Sequence, residues 1–361
     1  MFLTNSLRKE FSSDHLKAGD AQRLAHLIAM GPMVFQLARI LVKRDVLSAI
    51  EHDGGLSLQE VQDKAGLSRY ATKCLLEGAL TLGILSVDDD ERFHVTKLGW
   101  FLQNDKMVRV NIDFNHDVNY AGMAHLDEAL AQGRPAGLCE LGNWPTIYEG
   151  LSQLNPQAQD SWFAFDHYYS DVAFDQALQI IFSQPVRRLV DVGGNTGRFA
   201  LRCVDFDPHV QVTIVDLPQQ IQLMRNATAG QPGADRISGF PTNLLDPDNA
   251  LPTGADVIWM SQFLDCFSEE QILSIVSRAA AVMSPDSRLF VMETFWDRQQ
   301  YPTAAADLTM TSLYFTAMAN GNSKMYHSDD MISIFNHAGL QVVDISDHLG
   351  TGHSLVELKL K

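Results

Sequence analysis

The sequence lacks the features of a membrane or secreted protein. Its 361 residues contain no unbroken apolar run of the ~18 residues that a spanning helix needs. The first ten residues show neither the apolar core nor the cleavage site of a signal peptide. The four cysteines, Cys74, Cys139, Cys203 and Cys266, form no C-x-x-C pair, which indicates reduced thiols. We therefore expect a cytoplasmic protein without a bound metal.

Positive charge is scarce as well. The 27 lysines and arginines are outnumbered by 44 aspartates and glutamates, which gives a formal net charge of −17. Nucleic acids and anionic membrane surfaces are bound by clustered basic residues, so we expect neither as a partner. A small, neutral or weakly charged substrate is favoured instead. The hydrophobic content of 46% is that of an ordinary globular protein, and the length predicts about two domains.

Residues 1–105 predict a mainly helical domain of the winged-helix type. Ser57 and Glu60 form a capping box at the start of one helix. A second helix extends from about Ser68 to Gly83, and two short strands flank an acidic turn at 88–91. Acidic residues at the tip of this wing would face DNA phosphates, so we predict a dimerisation domain, with DNA binding as the alternative.

Residues 106–180 predict aromatic-rich helices that link the domains and contribute to a substrate pocket. An insertion at 294–327 adds an apolar helix above the ligand edge of the predicted sheet. The alternative for these side chains is an ordinary core position, or a structural hydrogen bond for the histidines. The candidate substrate-binding residues from both segments are Phe114, His116, Trp144, Phe165, His167, Met310 and Tyr314.

Residues 181–361 alternate strands and helices, which predicts an α/β fold with a mostly parallel sheet. At its centre, a strand ending at Val192 is followed by Gly193, Gly194 and Gly197 and then by a helix. Glycines permit a sharp turn and a close approach of a ligand to the backbone. Neither the G-x-G-x-x-G fingerprint of dinucleotide sites nor the Gly-Lys-Ser/Thr ending of a phosphate-binding loop is present.

Two acidic residues narrow the choice of ligand. Asp191 lies at the end of the first strand, where it would repel a phosphate but attract an amino or sulfonium group. Asp216 ends the next strand about 20 residues after the glycines, a position suited to accepting hydrogen bonds from ribose hydroxyls. A helix N-cap before Pro218 is a compatible alternative for Asp216. These charges favour S-adenosylmethionine (SAM) over a dinucleotide or a phosphate ligand.

Several ordered motifs extend this pattern over nearly the whole chain. They are Val190-Asp-Val-Gly-Gly-Asn-Thr-Gly197, Val215-Asp-Leu-Pro218, Ala255-Asp-Val-Ile-Trp-Met-Ser-Gln-Phe-Leu264 and Ala338-Gly339. With them the chain resembles the class I SAM-dependent O-methyltransferases of the plant caffeate and bacterial antibiotic type. The resemblance implies a Rossmann-like, seven-stranded, mostly parallel sheet with helices on both faces within residues 106–361, preceded by a winged-helix dimerisation domain. It also implies a homodimer, a small aromatic substrate and S-adenosylhomocysteine as a product.

The resemblance places the cofactor along the strand ends. Asn243 stands where such enzymes usually have an acidic residue near the adenine, and Ser261 stands where they often have a basic or small polar one. The implied cofactor-binding residues are Asp191, Gly193, Gly194, Gly197, Asp216, Leu217, Asn243, Leu244, Ser261, Gln262 and Tyr169.

The catalytic residues depart from the family's pattern. Such enzymes have a general-base histidine in Leu-His-Asp-Trp, whereas this chain has Leu264-Asp-Cys-Phe267, so that Asp265 replaces the histidine. Glu293 matches one of the two carboxylates that orient that histidine, and Met325 replaces the other. We predict Asp265 and Glu293 as a catalytic carboxyl pair in which like charge raises one pKa. The alternative is that Asp265 caps the helix at Ser268 or binds the cofactor amine.

Several functions stay open. Methylation of a phenolic oxygen in secondary metabolism follows the resemblance. Methylation of a ring carbon ortho to a phenol needs only a weak base, and N-methylation needs no strong base. A SAM-binding protein with lost or altered methyl-transfer chemistry is the remaining alternative.

Overall fold

The computed structural model describes residues 3–361, apart from the side chains of Ser6, Tyr169 and Ser170. The chain divides into two compact units. The smaller is Asp14–Asp117, and the larger combines residues 3–13 with Val118–Lys361. Helix α1 (Asn5–Phe11) belongs to the larger unit, in which the Thr4 hydroxyl just before it donates to the Gln299 carbonyl at 3.1 Å.

The smaller unit has the predicted winged-helix pattern. Its helices enclose a buried apolar centre that includes Leu41, Leu47 and Leu76. The second predicted helix begins after Ser68, whose hydroxyl accepts the Ala71 N–H, and ends at a left-handed glycine. The elements are α2 (Ala18–Ala29), α3 (Gly31–Lys43), α4 (Val46–His52), α5 (Leu58–Ala65), α6 (Arg69–Leu82), the antiparallel wing strands β1 (Leu85–Val87) and β2 (Phe93–Val95), α7 (Lys97–Asn104) and α8 (Lys106–Phe114).

Helices α2 and α3 expose apolar side chains. Leu24, Ile28 and Met33 are 46%, 72% and 61% exposed. The two helices meet at an angle of 79°, because the chain breaks just before Gly31 and Pro32. Among the described helices, none is long and apolar enough by itself to cross a membrane, although this bent pair meets the same test of length and composition when its two helices are taken together.

The larger unit is built on a seven-stranded sheet of order β5-β4-β3-β6-β7-β9-β8. The five strands from β5 to β7 are parallel, as the predicted mostly parallel sheet requires, and the last two form an antiparallel hairpin at one edge. The strands are β3 (Arg188–Val192), β4 (Gln211–Asp216), β5 (Ile237–Pro241), β6 (Val257–Ser261), β7 (Arg288–Glu293), β8 (Leu340–Leu349) and β9 (His353–Leu360).

Helices cover both faces of this sheet. Two separate buried apolar clusters result, one that includes Met260 and Val291 and one that includes Trp259 and Phe290. The alternation along β6 and β7 explains the division, since successive side chains of a strand point to opposite faces. The helices are α9 (Leu126–Gln132), α10 (Ile147–Gly150), α11 (Pro156–Ser170), α12 (Phe174–Ile181), α13 (Arg198–Phe206), α14 (Pro218–Thr228), α15 (Glu269–Val282), α16 (Pro302–Tyr314) and α17 (Ser328–His337).

The predicted fold class is confirmed, and its strand order fixes where a ligand binds. β3 pairs with β4 on one side and with β6 on the other. The chain thus adds β4 and β5 on one side of β3 and then crosses to the other side to add β6 and β7, so the strand order reverses beside β3. In open parallel sheets, ligands bind in the crevice that this reversal creates at the carboxyl ends of the strands.

Candidate functional site

A cavity of about 360 Å³ opens at this crevice, entirely within the larger unit. The residues at or just after the ends of the parallel strands line it, including Gly193 after β3, Asp216 on β4, Thr242 after β5 and Ser261 on β6. Helices α11 and α16 contribute aromatic and apolar side chains to another part of its wall. The cavity therefore combines a polar wall at the strand ends with an aromatic one.

The glycine turn after β3 lets other groups come close to its backbone. Gly193 and Gly197 have φ values of +76° and +83°, which favour glycine. A Cβ at Gly193 would collide with the Phe263 ring, and one at Gly194 would lie 2.6 Å from Oδ2 of Asp191. Glycine is thus required here by both conformation and space.

Asp191 and Asp216 give the turn its electrostatic character. Asp191 is 2% exposed, and burial, together with the charge of Asp216, raises its pKa to about 8. Its Oδ2 has no hydrogen-bond partner among the described residues. Asp216 accepts the backbone N–H groups of Asn195 at 2.9 Å and Leu217 at 2.7 Å, and burial raises its pKa as well. The N-cap of α14 is Leu217, so the alternative that Asp216 caps this helix is wrong.

Further polar atoms near the turn are buried and unsatisfied. Asn195 Oδ1, Gln220 Oε1 and Ser261 Oγ lack partners within the part of the chain that the structure describes, and all three residues line the cavity. Buried polar groups without partners are rare, so they indicate a ligand with hydroxyl and amino groups. An unpaired carboxyl also suits a positively charged ligand. These features fit SAM.

The loop after β5 is held rigidly beside this polar wall. Asn243 Oδ1 accepts the Leu245 N–H at 2.9 Å, and Arg278 on α15 donates to the Leu244 carbonyl at 2.5 Å. Leu217, Asn243, Leu244 and Gln262 all line the cavity, as their predicted role requires. The side chain of Tyr169, also predicted to bind the cofactor, lies outside the described residues.

Asp265 lies in a 3-10 turn, Leu264–Cys266, which Gln262 and Phe263 separate from the end of β6. It is 6% exposed, lines the cavity and accepts a weak hydrogen bond from the Cys266 thiol at 3.5 Å. Burial raises the pKa of Asp265 to about 6. The N-cap of α15 is Ser268, whose hydroxyl accepts the Gln271 N–H, so the alternative that Asp265 caps this helix is wrong.

Glu293, at the end of β7, supports the turn that carries Asp265. Its Oε1 accepts the N–H groups of Phe263 at 3.1 Å and Leu264 at 2.9 Å. Burial and the charge of Asp265 raise the pKa of Glu293 well above its usual value. No hydrogen bond joins the two carboxyl groups in the described structure, and Oε2 of Glu293 has no partner there. The predicted pair therefore interacts through charge.

The aromatic wall contains three of the predicted substrate residues, Phe165, His167 and Tyr314. Tyr148 and Trp162 lie there too, and Trp162 Nε1 donates to the Tyr314 hydroxyl at 2.8 Å. A π-helical turn, Phe315–Ala319, follows α16 and adds Phe315 to the wall. π-helical turns often mark functional sites.

The other four predicted substrate residues are not among the cavity-lining residues that the structure describes. Phe114 and His116 belong to the smaller unit, where Phe114 is buried and His116 Nδ1 lies 3.2 Å from Gln36 Nε2. Trp144 covers Gly142 and Gly150, whose Cβ positions its indole occupies. Met310 is 61% exposed.

Asp166 is a cavity residue that the sequence analysis did not identify. It is half-buried on α11 and lines the cavity. Burial and the charges of Asp265 and Asp171 raise its pKa to about 7. Its position one helical turn after Trp162, between Phe165 and His167, was the available signal.

Several known proteins are similar to this chain in sequence or in fold. The L-tyrosine C(3)-methyltransferase of Streptomyces lavendulae is 23% identical over 311 residues, which cover 85% of this chain and 83% of that protein. The aclacinomycin 10-hydroxylase RdmB of Streptomyces purpurascens is 26% identical, covering 86% and 81%. The apo structure of the SAM-dependent methyltransferase SibL has a TM-score of 0.71 at 23% identity and covers 92% of this chain and 98% of its own.

Two family models also match. A Dimerisation2-like domain matches residues 22–93, and an O-methyltransferase domain matches residues 125–341, more than half of the chain. This match confirms the predicted family and SAM as the cofactor. The chain therefore belongs to the O-methyltransferase domain family and is a SAM-dependent methyltransferase.

Proposed function

We propose that this methyltransferase acts on a small phenolic substrate of secondary metabolism, with Asp265 as the proton acceptor. The observation that carries the proposal is the position of the Asp265 carboxyl. It is nearly buried, has a pKa of about 6, and lines the same cavity as Tyr148, Trp162 and Tyr314. A carboxyl group with this pKa is mostly ionised at neutral pH, so it can accept a proton.

The polar wall would hold the cofactor. Asp191, whose Oδ2 lacks a partner, suits the amino or sulfonium charge, and Asp216 suits the ribose hydroxyls. Asn243 and Leu244, on the loop that Arg278 fixes, suit the adenine. When bound, SAM supplies an activated methyl group whose bond to sulfur breaks as the bond to the acceptor forms.

Within this function we favour a ring carbon ortho to the hydroxyl as the acceptor. A phenol has a pKa near 10, whereas the pKa of Asp265 is about 6. Complete proton transfer from the phenol to the Asp265 carboxylate is therefore unfavourable by about 5 kcal/mol. A ring carbon becomes strongly acidic once it has been methylated, so Asp265 can accept its proton readily. The name of the relative that methylates C(3) of L-tyrosine supports this choice. Methylation of the phenolic oxygen is the second candidate, and the family's description supports it.

The charge of the cavity selects among phenols. The lining of the cavity includes four aspartates, Asp166, Asp171, Asp265 and Asp307. The guanidinium group of Arg198 also lines the cavity, but it is paired with Asp171 at 2.5 Å. An aromatic carboxylate would therefore be repelled. We expect neutral or amine-bearing phenols to be preferred.

A panel of phenols incubated with methyl-labelled SAM tests this function. We expect label in neutral or amine-bearing phenols and much less in hydroxybenzoates. If the protein binds SAM but labels none of the phenols, the proposal is contradicted, and a binding protein with altered chemistry is favoured.

We also propose that the chain forms a homodimer through its N-terminal unit. The match to a Dimerisation2-like domain at residues 22–93 and the exposed apolar side chains of α2 and α3 support this proposal. Exposed apolar patches of this kind commonly mark protein interfaces.

A further inference from the structure

A cluster of metal-ligating side chains lies on the larger unit, away from the cavity-lining residues. His125 ends the 3-10 turn Gly122–His125, and Cys139 and Glu140 end the 3-10 turn Ala136–Glu140. One ligand atom from each side chain lies within 4.8 Å of the other two. His125 Nε2 is 3.3 Å from a Glu140 oxygen and 3.9 Å from the Cys139 sulfur.

These atoms have the identity of zinc ligands, and the two distances from His125 Nε2 are close to those in a zinc site. Zinc binds Cys, His and carboxylate ligands at about 2.0–2.3 Å in a tetrahedron, which places the ligand atoms about 3.3–3.8 Å apart. Magnesium and calcium prefer all-oxygen sites, so the sulfur and nitrogen donors favour zinc. Cys139 is a free, exposed thiol, and the ion can therefore reach the site from solvent.

The backbone holds the two turns together independently of any ion. A Cβ at Gly122 would lie 2.7 Å from the Gly137 carbonyl oxygen, and a Cβ at Gly137 would collide with the Gly122 carbonyl. Two turns that meet through glycines at this distance have little freedom to separate. The three ligands are thus brought together by tight packing of the backbone.

Glu128 supplies a second, outer contact. Its Oε2 lies 3.7 Å from Nδ1 of His125, an ion-pair distance that must shorten to become a hydrogen bond, and its other oxygen accepts from Arg134 at 2.5 Å. A carboxylate on one imidazole nitrogen is the usual partner of a zinc-bound histidine, because it orients the ring and leaves the other nitrogen for the metal. Here Nε2 is the nitrogen that faces Cys139 and Glu140.

We propose that His125, Cys139 and Glu140 bind one Zn²⁺ ion, with water as the fourth ligand and Glu128 as a positioning residue. The ion adds a link through side chains between two turns that the backbone already packs together. Gly122 packs against Met318 in the π-helical turn that also carries the cavity residue Phe315, so zinc is expected to stabilise this side of the cavity. No metal-binding spacing in the sequence indicates this site, since His125 and Cys139 are 14 positions apart.

Titration of the tag-free, chelator-treated full chain with Zn²⁺, in competition with a chromophoric chelator, tests the site. We expect one equivalent to bind and to raise Tm, and Co²⁺ to give a thiolate-to-metal absorption band. Cys139→Ser and His125→Ala should each abolish binding, whereas Cys74→Ser, at another exposed cysteine, should retain it. Glu128→Gln should weaken affinity by about 10–100-fold.

Circular dichroism of each variant would verify folding, and both ligand positions are at the surface. Absence of stoichiometric zinc binding in the unaltered chain overturns the proposal. So does binding of unchanged affinity in either Cys139→Ser or His125→Ala.

Discussion

Asp265 is the residue on which the proposed chemistry depends, because its carboxyl group takes the place of a histidine. We predict that Asp265→Asn lowers kcat by about 10²–10⁴-fold, the usual contribution of a general base, and leaves SAM affinity unchanged. Steady-state kinetics and calorimetric SAM binding would measure the two effects. Unaltered kcat in this variant would exclude Asp265 as the proton acceptor.

Asp265 should also determine how the activity of the protein depends on pH. A proton acceptor works in its deprotonated form, and burial raises the pKa of Asp265 to about 6. We therefore predict that, at saturating SAM, kcat/KM for the phenol rises with pH through about 6 and then levels off, because activity is lost when the Asp265 carboxyl is protonated. This rise should be missing from the residual activity of Asp265→Asn. A wild-type profile that is flat between pH 5 and 7 would contradict the assignment.

We predict that the Asp191 carboxyl group releases a proton when the cofactor binds. Its raised pKa of about 8 means that the carboxyl is largely protonated at pH 7, and a bound cation favours the ionised form. The observed enthalpy of SAM binding should therefore depend on the ionisation enthalpy of the buffer, with up to about one proton released. Asp191→Asn should remove this dependence and weaken binding by about 1.5–3 kcal/mol. Identical buffer dependence in the variant would refute this role.

At the scale of the structural element, a matched pair of glycine variants, Gly193→Ala and Gly230→Ala, tests the turn after β3. Gly193→Ala should abolish SAM binding and lower Tm, since the new Cβ would collide with Phe263. Gly230 has nearly the same φ, +75° against +76°, but open space around it. Gly230→Ala should therefore show only the conformational cost of about 1–2 kcal/mol. Equal losses of SAM affinity in both variants would mean that the contact with Phe263 is unimportant.

The turn at 263–265 depends on Glu293 as well. Glu293→Gln retains an oxygen that can accept the Phe263 and Leu264 N–H groups. It replaces a carboxyl group, whose pKa burial and the charge of Asp265 raise, by an amide that cannot exchange a proton. We predict reduced turnover with SAM binding retained, and a smaller loss than in Asp265→Asn. Full activity in both variants would reject the carboxyl pair.

The elements were more predictable than the cavity. Hydrophobic alternation, glycine turns and capping residues such as Ser57, Ser68 and Ser268 act locally, so strands and helices could be predicted close to their observed bounds. The lining of the cavity depends on which side of each helix faces inward. Met310 and Tyr314 both lie on α16, yet Met310 faces solvent and Tyr314 lines the cavity. Asp166 was not identified because a carboxylate in an aromatic wall opposes the usual hydrophobic pattern.

At the scale of the whole molecule, the proposed homodimer gives a prediction in the smaller unit. Ile28→Glu places a charge on the exposed apolar face of α2, and we expect it to shift the protein towards monomer in sedimentation or light-scattering measurements. Val343→Glu, on an exposed apolar residue of the sheet hairpin, is the control and should leave the assembly unchanged. A dimer that persists in Ile28→Glu would place the interface elsewhere.

The most direct test of the whole account is to locate the transferred methyl group by NMR. The protein would be incubated with ¹³C-methyl SAM and an amine-bearing phenol, and the product compared with that from Asp265→Asn. We predict a new methyl resonance on the ring carbon ortho to the hydroxyl, strongly reduced in the variant. A methyl group found on the phenolic oxygen at equal rates in both proteins would contradict the account.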